Sequence, residues 1–310
     1  MRTDAFLRIL LVATAVMTAV VEGAHAREVG GIDEPGPGRE CTASFRTMPS
    51  FVWRGSAGNG YSAEAPSMWQ EGVVRVDVSE GDCPFALVVD PGDATLRGRG
   101  GSVSMIMSDA PGGRDLVRSS LDPASSPFQG LGGSGEIHEF GVYLTLPQGQ
   151  VVHAGDYSAN VPVRLYLLDS GLPVQVDETM IDVSASVGAR FAVEGSGFVA
   201  GVADLDLGDL SSGFHRRIDL AVVGNAPVSM TVDSANGGRL RHDRADIWIP
   251  YRLSMDGRFM DLSVGGARAI FDLDPVSTRT IGLEIEGDAP PRAVAGTYAD
   301  TLTLVFRSEM

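Results

Sequence analysis

The sequence predicts an all-β protein built from two β-sandwich domains. Short runs of alternating apolar and polar residues recur along the chain, separated by Gly, Asp, Asn and Pro, whereas helical periodicity is nearly absent. Two segments of the first half also recur, in the same order, in the second half. Because many short strands with frequent turn residues are typical of β-sandwiches, the repeats indicate two copies of one such sandwich.

The alternating runs give the positions of individual strands. They are Val74–Val78, Val142–Leu146, Val161–Leu167, Leu283–Ile285 and Leu302–Phe306. Alternation places one set of side chains in a core and the other set in water, which is the pattern of a strand with one buried face. We therefore expect each run to lie in a sheet that covers a core on one side only.

The repeats indicate a duplicated fold. Gly81–Asp90 matches Gly224–Asp233, and Ala154–Ala159 matches Ala295–Asp300, with nearly the same spacing between the two matches. In both copies of the second match, an Ala-Gly-x-Tyr motif leads into a strand. One such match arises easily by chance, but two in the same order do not.

The first 40 residues are predicted to precede both domains, which then span residues 41–178 and 179–310. Residues 1–26 have the parts of a secretory signal peptide, namely basic residues at the start, an apolar stretch too short to span a bilayer, and the small-residue cleavage site Ala24-His25-Ala26. A buried N-terminal helix is the alternative. Residues 27–40 are rich in Gly and Pro and are expected to form a flexible leader.

The charge pattern argues against a nucleic-acid partner. The chain has 24 basic and 40 acidic residues, a formal charge of −16, and every basic residue is Arg. Scattered arginines in an acidic chain form no basic stripe for a phosphate backbone. No stretch after the signal peptide is long and apolar enough to cross a membrane, so the product is expected to be exported and soluble, or assembled outside the cell.

The two cysteines, Cys41 and Cys83, are predicted to form a disulfide. A pair of cysteines in an oxidising compartment is usually bonded. Neither cysteine lies in a Cys-x-x-Cys motif or beside histidines, which argues against a metal or redox role.

No group of residues has the spacing of a catalytic, cofactor or metal site. Asp204, Asp206 and Asp209 lie close together, but the alternating leucines between them favour a strand with its acids in solvent over a calcium loop. Four scattered histidines are expected at the surface or in turns: His138, His153, His215 and His242. Ser134 and Gly98–Gly101 are expected in loops rather than in a nucleophile elbow or a phosphate cradle. We predict that the protein is not an enzyme and binds no cofactor.

Five segments of the second copy carry a family resemblance. They are Leu205–Leu210, Asn225–Pro227, Ser234–Leu240, Ile249–Leu253 and Ala295–Leu304. Together they resemble the spore coat protein U domain, the subunit fold of Csu-type archaic chaperone–usher pili, whereas the first copy matches less well. The resemblance implies immunoglobulin-like pilin sandwiches, of which the C-terminal one lacks its last strand and receives it from a neighbouring subunit by β-augmentation.

The C-terminal residues agree with a missing strand. The chain stops soon after the strand Tyr298–Arg307, so this strand is expected to lack a partner on its far side. An unpaired apolar edge strand is an aggregation hazard that proteins normally cover. In the first domain the chain instead continues through residues 172–183, long enough to close its own sandwich. The residues expected to line the acceptor groove of the second domain are Tyr298, Leu302, Leu304 and Phe306.

The leader indicates the place of this subunit in a fibre. A donated strand needs alternating apolar residues, but residues 27–40 offer only Val29 and Ile32, interrupted by glycines and prolines. A chain that accepts a strand without donating one resembles the two-domain tip adhesin of such a pilus, which attaches to surfaces and forms biofilm. The resemblance implies a periplasmic chaperone, an outer-membrane usher, an adjacent pilin that donates its strand, and a host or abiotic surface as partners. It also implies passage through the periplasm to an extracellular pilus tip.

Apolar residues in Gly-, Ser- and Pro-rich stretches of the first domain are the candidate adhesive loops. They are Phe51, Val52, Trp53, Met68, Trp69 and Phe128. Exposed apolar patches with aromatic anchors are typical of binding sites, and the alternative is that these side chains pack back onto the core. Two other functions stay open: a structural subunit of a pilus shaft or of a spore or cell coat, and a secreted carbohydrate-binding or carbohydrate-active protein.

Overall fold

The computed structural model describes two compact units. The described residues are 4–14, 41–55, 58, 60–80, 83–116, 121–168, 172–263, 266–273, 278–291 and 294–309. Residues 41–188 form one unit, called the first sandwich here, and residues 189–309 together with 4–14 form the other, the second sandwich. The units divide after Gly188 rather than after residue 178, because the strand Val174–Val187 belongs wholly to the first sandwich. The predicted cleavage site and leader lie outside the described residues.

The first sandwich has a four-stranded and a seven-stranded sheet. Its strands are β2 (Thr42–Thr47), β3 (Ser50–Trp53), β4 (Trp69–Glu80), β5 (Cys83–Val89), β6 (Thr95–Gly98), β7 (Gly101–Ser104), β8 (Ile106–Ser108), β9 (Phe128–Gly132), β10 (Glu136–Thr145), β11 (Gly155–Leu167) and β12 (Val174–Val187). The smaller sheet has the order β2-β4-β10-β8. The larger has the order β3-β12-β11-β5-β9, with β6 paired to β11 and β7 to β6. A 3-10 turn at Pro123–Ser125 precedes β9.

The second sandwich has a seven-stranded and a five-stranded sheet. Its strands are β1 (Asp4–Thr14), β13 (Phe191–Gly195), β14 (Val202–Asp209), β15 (Phe214–Gly224), β16 (Val228–Ser234), β17 (Arg239–His242), β18 (Trp248–Pro250), β19 (Arg252–Met255), β20 (Arg258–Met260), β21 (Ala267–Phe271), β22 (Thr278–Gly287) and β23 (Thr297–Ser308). The larger sheet has the order β14-β1-β23-β16-β21, with β17 paired to β23 and β18 to β17. The smaller has the order β13-β15-β22-β19-β20. A 3-10 turn at Leu210–Ser212 follows β14.

The predicted all-β class is confirmed, and the alternating runs account for the cores. All five predicted runs fall in β4, β10, β11, β22 and β23 or, for Leu146, directly after β10. Val74, Val76 and Val78 of β4 are fully buried, while the residues between them point away from the core. Among the described residues, the structure has no helix with the length and apolarity needed to cross a membrane.

The repeated segments occupy equivalent places in the two sandwiches. The segments Gly81–Asp90 and Gly224–Asp233 lead into β5 and β16, respectively. The two Ala-Gly-x-Tyr segments lead into β11 and β23. The glycines of the two motifs, Gly155 and Gly296, have φ values of +140° and +157°, which residues with a Cβ rarely adopt. The tyrosine hydroxyls of Tyr157 and Tyr298 each donate to the carbonyl four residues upstream, at 2.8 and 3.1 Å. The repeat is therefore a repeat of local structure as well as of sequence.

The predicted disulfide is present between Cys41 and Cys83, whose Cα atoms lie 5.6 Å apart. Cys41 directly precedes β2 of the smaller sheet, and Cys83 begins β5 of the larger one, so the bond ties the two sheets of the first sandwich together. Cys83 is fully buried in the core between the sheets.

Replacing both cysteines with Ser is expected to lower the free energy of unfolding of the first sandwich by about 2–4 kcal/mol, because the bridge closes a long loop in the unfolded chain. Urea unfolding of the variant and the oxidised protein measures the difference. Reducing the unaltered protein should reproduce the variant's unfolding curve, and the reductant should leave the variant unchanged. Equal midpoints for the oxidised protein and the variant would contradict the prediction.

Candidate functional site

The candidate site is a groove in the second sandwich between β14 and β23, and residues 4–14 fill it. β1 runs parallel to β23, from Asp4 opposite Thr297 to Thr14 opposite Arg307. On its other side β1 pairs with β14 in the antiparallel direction, with a bulge after Ala5. The backbone of residues 4–14 therefore forms strand ladders with both walls of the groove.

The groove buries alternate side chains of β1. Ala5, Leu7 and Ile9 are fully buried and belong to the core of the second sandwich. Arg8, which lies between two of them, is exposed and lies 3.9 Å from the carboxylate of Asp204 on β14. This pattern is that of β-augmentation, in which the backbone provides affinity and alternate pockets select apolar side chains.

The four residues predicted to line an acceptor groove lie on β23. In this chain β1 pairs with the edge of β23 that the sequence predicts to be free. The four residues have no exposed surface and lie in the same core as β1: Tyr298, Leu302, Leu304 and Phe306. The expectation that β23 lacks a partner on its far side is wrong for the described chain, because β1 pairs along its length. Residues 4–14 combine the apolar stretch of a signal peptide with the alternation of a strand, and only the signal peptide is predicted from the sequence.

The first sandwich shows what normally occupies the equivalent position. Its larger sheet has the order β3-β12-β11-β5-β9, and the larger sheet of the second has the order β14-β1-β23-β16-β21. The repeated segments make β11 equivalent to β23 and β5 equivalent to β16. When the two strand orders are aligned on these pairs, β1 occupies the position of β12. β12 follows β11 in the chain and pairs with it in the antiparallel direction, whereas β1 comes from the N-terminus and is parallel to β23. The same position in this fold thus accepts a strand in either direction.

A buried carboxylate lies within the inward-facing row of β23. Asp300 is only 3% exposed and lies opposite Leu7 of β1. Its Oδ2 accepts hydrogen bonds from the hydroxyls of Ser234 at 2.6 Å and Tyr251 at 2.7 Å. Its Oδ1 accepts bonds from the backbone N–H groups of Asn236 at 3.1 Å and Thr301 at 2.7 Å. These bonds connect the turn after β16 to the groove wall, so Asp300 fixes the position of both.

Tyr251 is the member of this network with a displaced pKa. Burial of its ring raises the pKa of the hydroxyl well above the ordinary value of 10.0, and the charge and hydrogen bond of Asp300 raise it further. The hydroxyl therefore remains a donor to the carboxylate throughout the physiological pH range.

His242 supports the end of the groove where β23 begins. Its side chain is buried, and its ring lies edge-to-face against Tyr298 with 4.8 Å between the centroids. The Nδ1 atom accepts hydrogen bonds from the backbone N–H groups of Arg244 and Ala245, both at 3.0 Å. A Cβ on Gly296 would lie 2.2 Å from Nε2 of the histidine, so this motif position requires glycine for space as well as for its φ. The prediction that His242 lies at the surface or in a turn is wrong, because it is buried and is the last residue of β17.

Three of the six predicted adhesive residues are core residues. Phe51 and Trp53 on β3 and Phe128 at the start of β9 are 1%, 6% and 4% exposed and lie in the core of the first sandwich. The prediction that they form an exposed loop is wrong, because β3 and β9 are short strands whose inward positions these rings occupy. The remaining three are exposed: Val52 by 50%, Met68 by 43% and Trp69 by 53%.

The acidic residues of β14 are placed as the alternation predicts. Asp204, Asp206 and Asp209 are exposed, while Leu207 on the same strand is buried. The carboxylates of Asp206 and Asp209 accept hydrogen bonds from the N–H groups of Gly208 and Ser211. Within the described part of the chain, no three His, Cys, Asp or Glu side chains are grouped as they would be around a metal ion.

Comparison with known proteins gives structural likenesses only. No family model matches the chain, and no curated protein sequence matches it. Among solved structures, the chain is similar to the CsuC–CsuE chaperone–tip adhesion subunit pre-assembly complex from archaic chaperone–usher Csu pili of Acinetobacter baumannii, at 12% identity and a TM-score of 0.36, covering 86% of this chain and 99% of that chain. It is also similar to the CupB6 tip adhesin from Pseudomonas aeruginosa, at 9% identity and a TM-score of 0.37, covering 87% and 98%.

A third similar structure is CfaE, the adhesive subunit of CFA/I fimbria of enterotoxigenic Escherichia coli. It has 8% identity and a TM-score of 0.31, and the match covers 97% of this chain and 98% of that chain. With identities and scores this low, the function of this chain is inferred from its own groove and repeats.

Proposed function

We propose that this protein is the tip adhesin of a chaperone–usher pilus and that a neighbouring subunit completes its second sandwich by donating a strand. The observation that carries the proposal is the position of β1. The first sandwich builds this position from its own β12, whereas the second fills it with residues 4–14. The segments that resemble the spore coat protein U domain lie in the same second sandwich.

The export signal and the groove are linked in this proposal. Cleavage after Ala26 removes residues 4–14 and leaves a groove whose walls are β14 and β23. Its inward row contains Leu302, Leu304 and Phe306, which favour an apolar strand with side chains at alternate positions. A periplasmic chaperone covers this edge first, and an adjacent pilin replaces the chaperone at the outer-membrane usher. Because an exposed edge of this kind aggregates, each step leaves it covered.

The place at the tip follows from the leader and from the first sandwich. Residues 27–40 lack the alternating apolar pattern of a donated strand, and the first sandwich already contains its own β12. A subunit that accepts a strand and donates none ends a fibre. The first sandwich is then the part that attaches to a host or abiotic surface and supports biofilm formation.

Electron microscopy of labelled fibres tests this proposal. An epitope inserted between Gly112 and Gly113 lies in an exposed turn of the first sandwich, where a Cβ on Gly112 meets no atom within 4 Å. In the organism that encodes the protein, immunogold label is expected at the free ends of surface fibres, with one labelled site per fibre. Deleting the gene of the usher should retain the labelled protein in the periplasm.

The pattern of labelling separates this function from the others. Label repeated along each fibre would contradict a tip subunit and favour the shaft. Label in the culture medium without fibres would favour a secreted carbohydrate-binding or carbohydrate-active protein. The matched control carries the same epitope in an unrelated periplasmic protein and should give no label on fibres.

A further inference from the structure

The outer face of the four-stranded sheet in the first sandwich carries two aromatic rings in contact, one exposed and one half-buried. Trp69 begins β4 and is 53% exposed, although residues of its size are usually well covered. Its ring contacts that of Tyr143 on β10 edge-to-face, with 5.5 Å between the centroids and 73° between the planes. Ile106, on β8 next to β10, is 38% exposed. Trp69 therefore lies in an apolar patch rather than alone.

Strand register fixes this patch as two neighbouring rows. Trp69 lies opposite Thr145, and Thr145 lies opposite Ile106. In the next row, Glu71 lies opposite Tyr143. Because side chains two residues apart on a strand share a face, both rows point away from the core that Val74 and its neighbours form. The patch is thus built on a rigid sheet and not on a loop.

A carboxylate is held at the edge of the aromatic pair. The hydroxyl of Tyr143 donates a hydrogen bond to Oε1 of Glu71 at 2.9 Å. This bond raises the pKa of the tyrosine hydroxyl, so the donor keeps its proton at physiological pH. A carboxylate accepts up to about four hydrogen bonds, and the tyrosine supplies one of them. Glu71 lies on the same face of β4 as the exposed indole ring, two residues further along the strand.

The same face continues into a polar cleft further along β4. Arg75 and Glu139 lie opposite each other and form an ion pair with 2.7 Å between Nε and Oε1. With Arg46, Thr47 and Ile137 they line a cleft of about 390 Å³. Arg75 lies six positions after Trp69, which corresponds to about 20 Å along a strand. A ligand that reaches both features is extended and lies along the strand direction.

We propose that this sheet face binds a neutral oligosaccharide, with Trp69 as the stacking platform and Glu71 as the acceptor for sugar hydroxyls. A pyranose ring has an apolar C–H face that packs on an aromatic ring and a rim of hydroxyls that need partners when they leave water. Aromatic side chains with a few fixed polar groups are the usual means of orienting a small ligand. Along β4 the aromatic ring of Trp69 comes first, the carboxylate of Glu71 second and the polar cleft at Arg75 third. This order suits a chain of sugars in which one unit stacks on the ring and the following units form hydrogen bonds.

The charges of the face select against anionic ligands at this end. Glu71 would repel a carboxylate or sulfate next to the stacking platform, and the nearest arginine on the strand, Arg75, is paired with Glu139. A purely apolar surface, in turn, would have to strip water from the carboxylate of Glu71 without replacing its hydrogen bonds. A neutral sugar satisfies both conditions. This assignment is independent of the groove in the second sandwich and stands whether or not that groove accepts a strand.

Titration calorimetry with the full-length chain tests the assignment. The probes are the neutral tetrasaccharides cellotetraose and chitotetraose, with the anionic 3′-sialyllactose for comparison. At least one neutral probe is expected to bind with a dissociation constant between about 10 µM and 1 mM. Trp69→Ala is expected to weaken that binding by roughly tenfold or more, because it removes the stacking platform. Glu71→Ala is expected to weaken it by roughly threefold or more, because it removes the acceptor oxygens. Leu131→Ala is the matched control, since Leu131 is an exposed apolar residue on the other sheet of the same sandwich.

The outcomes separate the assignment from its alternatives. No binding of either neutral probe at 10 mM, roughly ten times the weakest expected dissociation constant, would overturn it. Equal binding by the unaltered protein and Trp69→Ala would overturn it as well, as would binding of 3′-sialyllactose alone. Adsorption to polystyrene that depends on Trp69 without any sugar binding would replace the oligosaccharide by an apolar surface. Should Trp69→Ala melt at a lower temperature, Trp69→Tyr keeps an aromatic platform and is expected to retain binding, and loss of binding in a stably folded Trp69→Tyr would contradict the proposal.

Discussion

A chain that begins at Arg27 is expected to melt at least about 10 °C below the full chain in its second sandwich, or to aggregate. Leu7 and Ile9 are fully buried in that sandwich. Their burial contributes about 1.5–3 kcal/mol each, so about 3–6 kcal/mol gross is lost with them. The inward row of β23 also becomes exposed along one side. Since a whole domain is stable by only about 5–15 kcal/mol, this loss is large enough to be measured as unfolding or association.

A strand fused after Met310 is expected to reverse this loss. The first sandwich supplies the design, because β12 fills the equivalent position and pairs with β11 in the antiparallel direction. A short Gly-containing turn followed by the sequence of Met180–Val187 should raise the melting temperature of the shortened chain to near that of the full chain. The matched control replaces the two residues of the fused copy that correspond to Ile181 and Val183 with Asp, because these side chains are buried in β12. This control should remain unstable.

The result also tests the idea of an acceptor groove. A shortened chain that is monomeric and as stable as the full chain would show that β1 adds nothing to the second sandwich, and the proposed donation of a strand would then fail. Calorimetry combined with analytical ultracentrifugation distinguishes a stable monomer from a destabilised or associated one.

The sequence predicts the strands and the duplicated fold well because both depend on local patterns. Alternation over five or more residues locates β4, β10 and β11, since a period of two residues is typical of a strand with one buried face and does not fit a helix. The Ala-Gly-x-Tyr motif locates β11 and β23 because it needs a glycine with unusual φ and a tyrosine hydroxyl that closes a local turn. The burial of Leu302, Leu304 and Phe306 follows from the same alternation.

The sequence predicts a segment's structure less well when its residue pattern fits two different structures. Phe51, Trp53 and Phe128 lie in strands of four and five residues between Gly- and Pro-rich stretches, and such short strands resemble loops. Residues 4–14 fit both a signal peptide and a strand, because both need consecutive apolar residues. Pairing between β1 and β23 joins opposite ends of the chain, and no local pattern specifies a contact at that separation.

Buried polar groups are the other class that the sequence does not predict. His242 and Asp300 are surrounded by core residues, although both residue types are usually found at the surface. Their burial is possible because each finds several hydrogen-bond partners on other strands or turns. Only the folded arrangement brings these partners together. For Asp300, a signal is available in the sequence, because it lies midway between Tyr298 and Leu302 in the alternating inward row of β23.

Replacing Asp300 with Ala is expected to lower the free energy of unfolding of the second sandwich by about 3–5 kcal/mol. Hydrogen bonds to a charged acceptor contribute roughly 1.5–3 kcal/mol each, and the four that Asp300 accepts do not add in full because they share one group. The change removes the acceptor of the two hydroxyls and of the Thr301 N–H, and it leaves the Asn236 N–H only its longer bond to the Ser234 hydroxyl at 3.3 Å. Urea unfolding of the full chain measures the loss. Asp233→Ala is the matched control, because Asp233 is an exposed acid on the neighbouring strand β16 and should change stability by less than about 0.5 kcal/mol.

The pH dependence provides a second measurement of the same network. The pKa of Tyr251 is raised in the folded protein, so above pH 10 the unfolded chain loses this proton while the folded chain keeps it. Stability should therefore decrease as the pH rises above about 10, by up to about 1.4 kcal/mol per pH unit, whereas below that pH this residue should add nothing to the slope of stability with pH. Tyr251→Phe removes this part of the slope. Tyr61 and Tyr157, whose pKa values are also raised by burial, lie in the first sandwich. They contribute equally to the pH dependence of the unaltered protein and of Tyr251→Phe. Identical slopes for the unaltered protein and Tyr251→Phe between pH 10 and 11.5 would show that the hydroxyl of Tyr251 is not held by Asp300 as the structure describes.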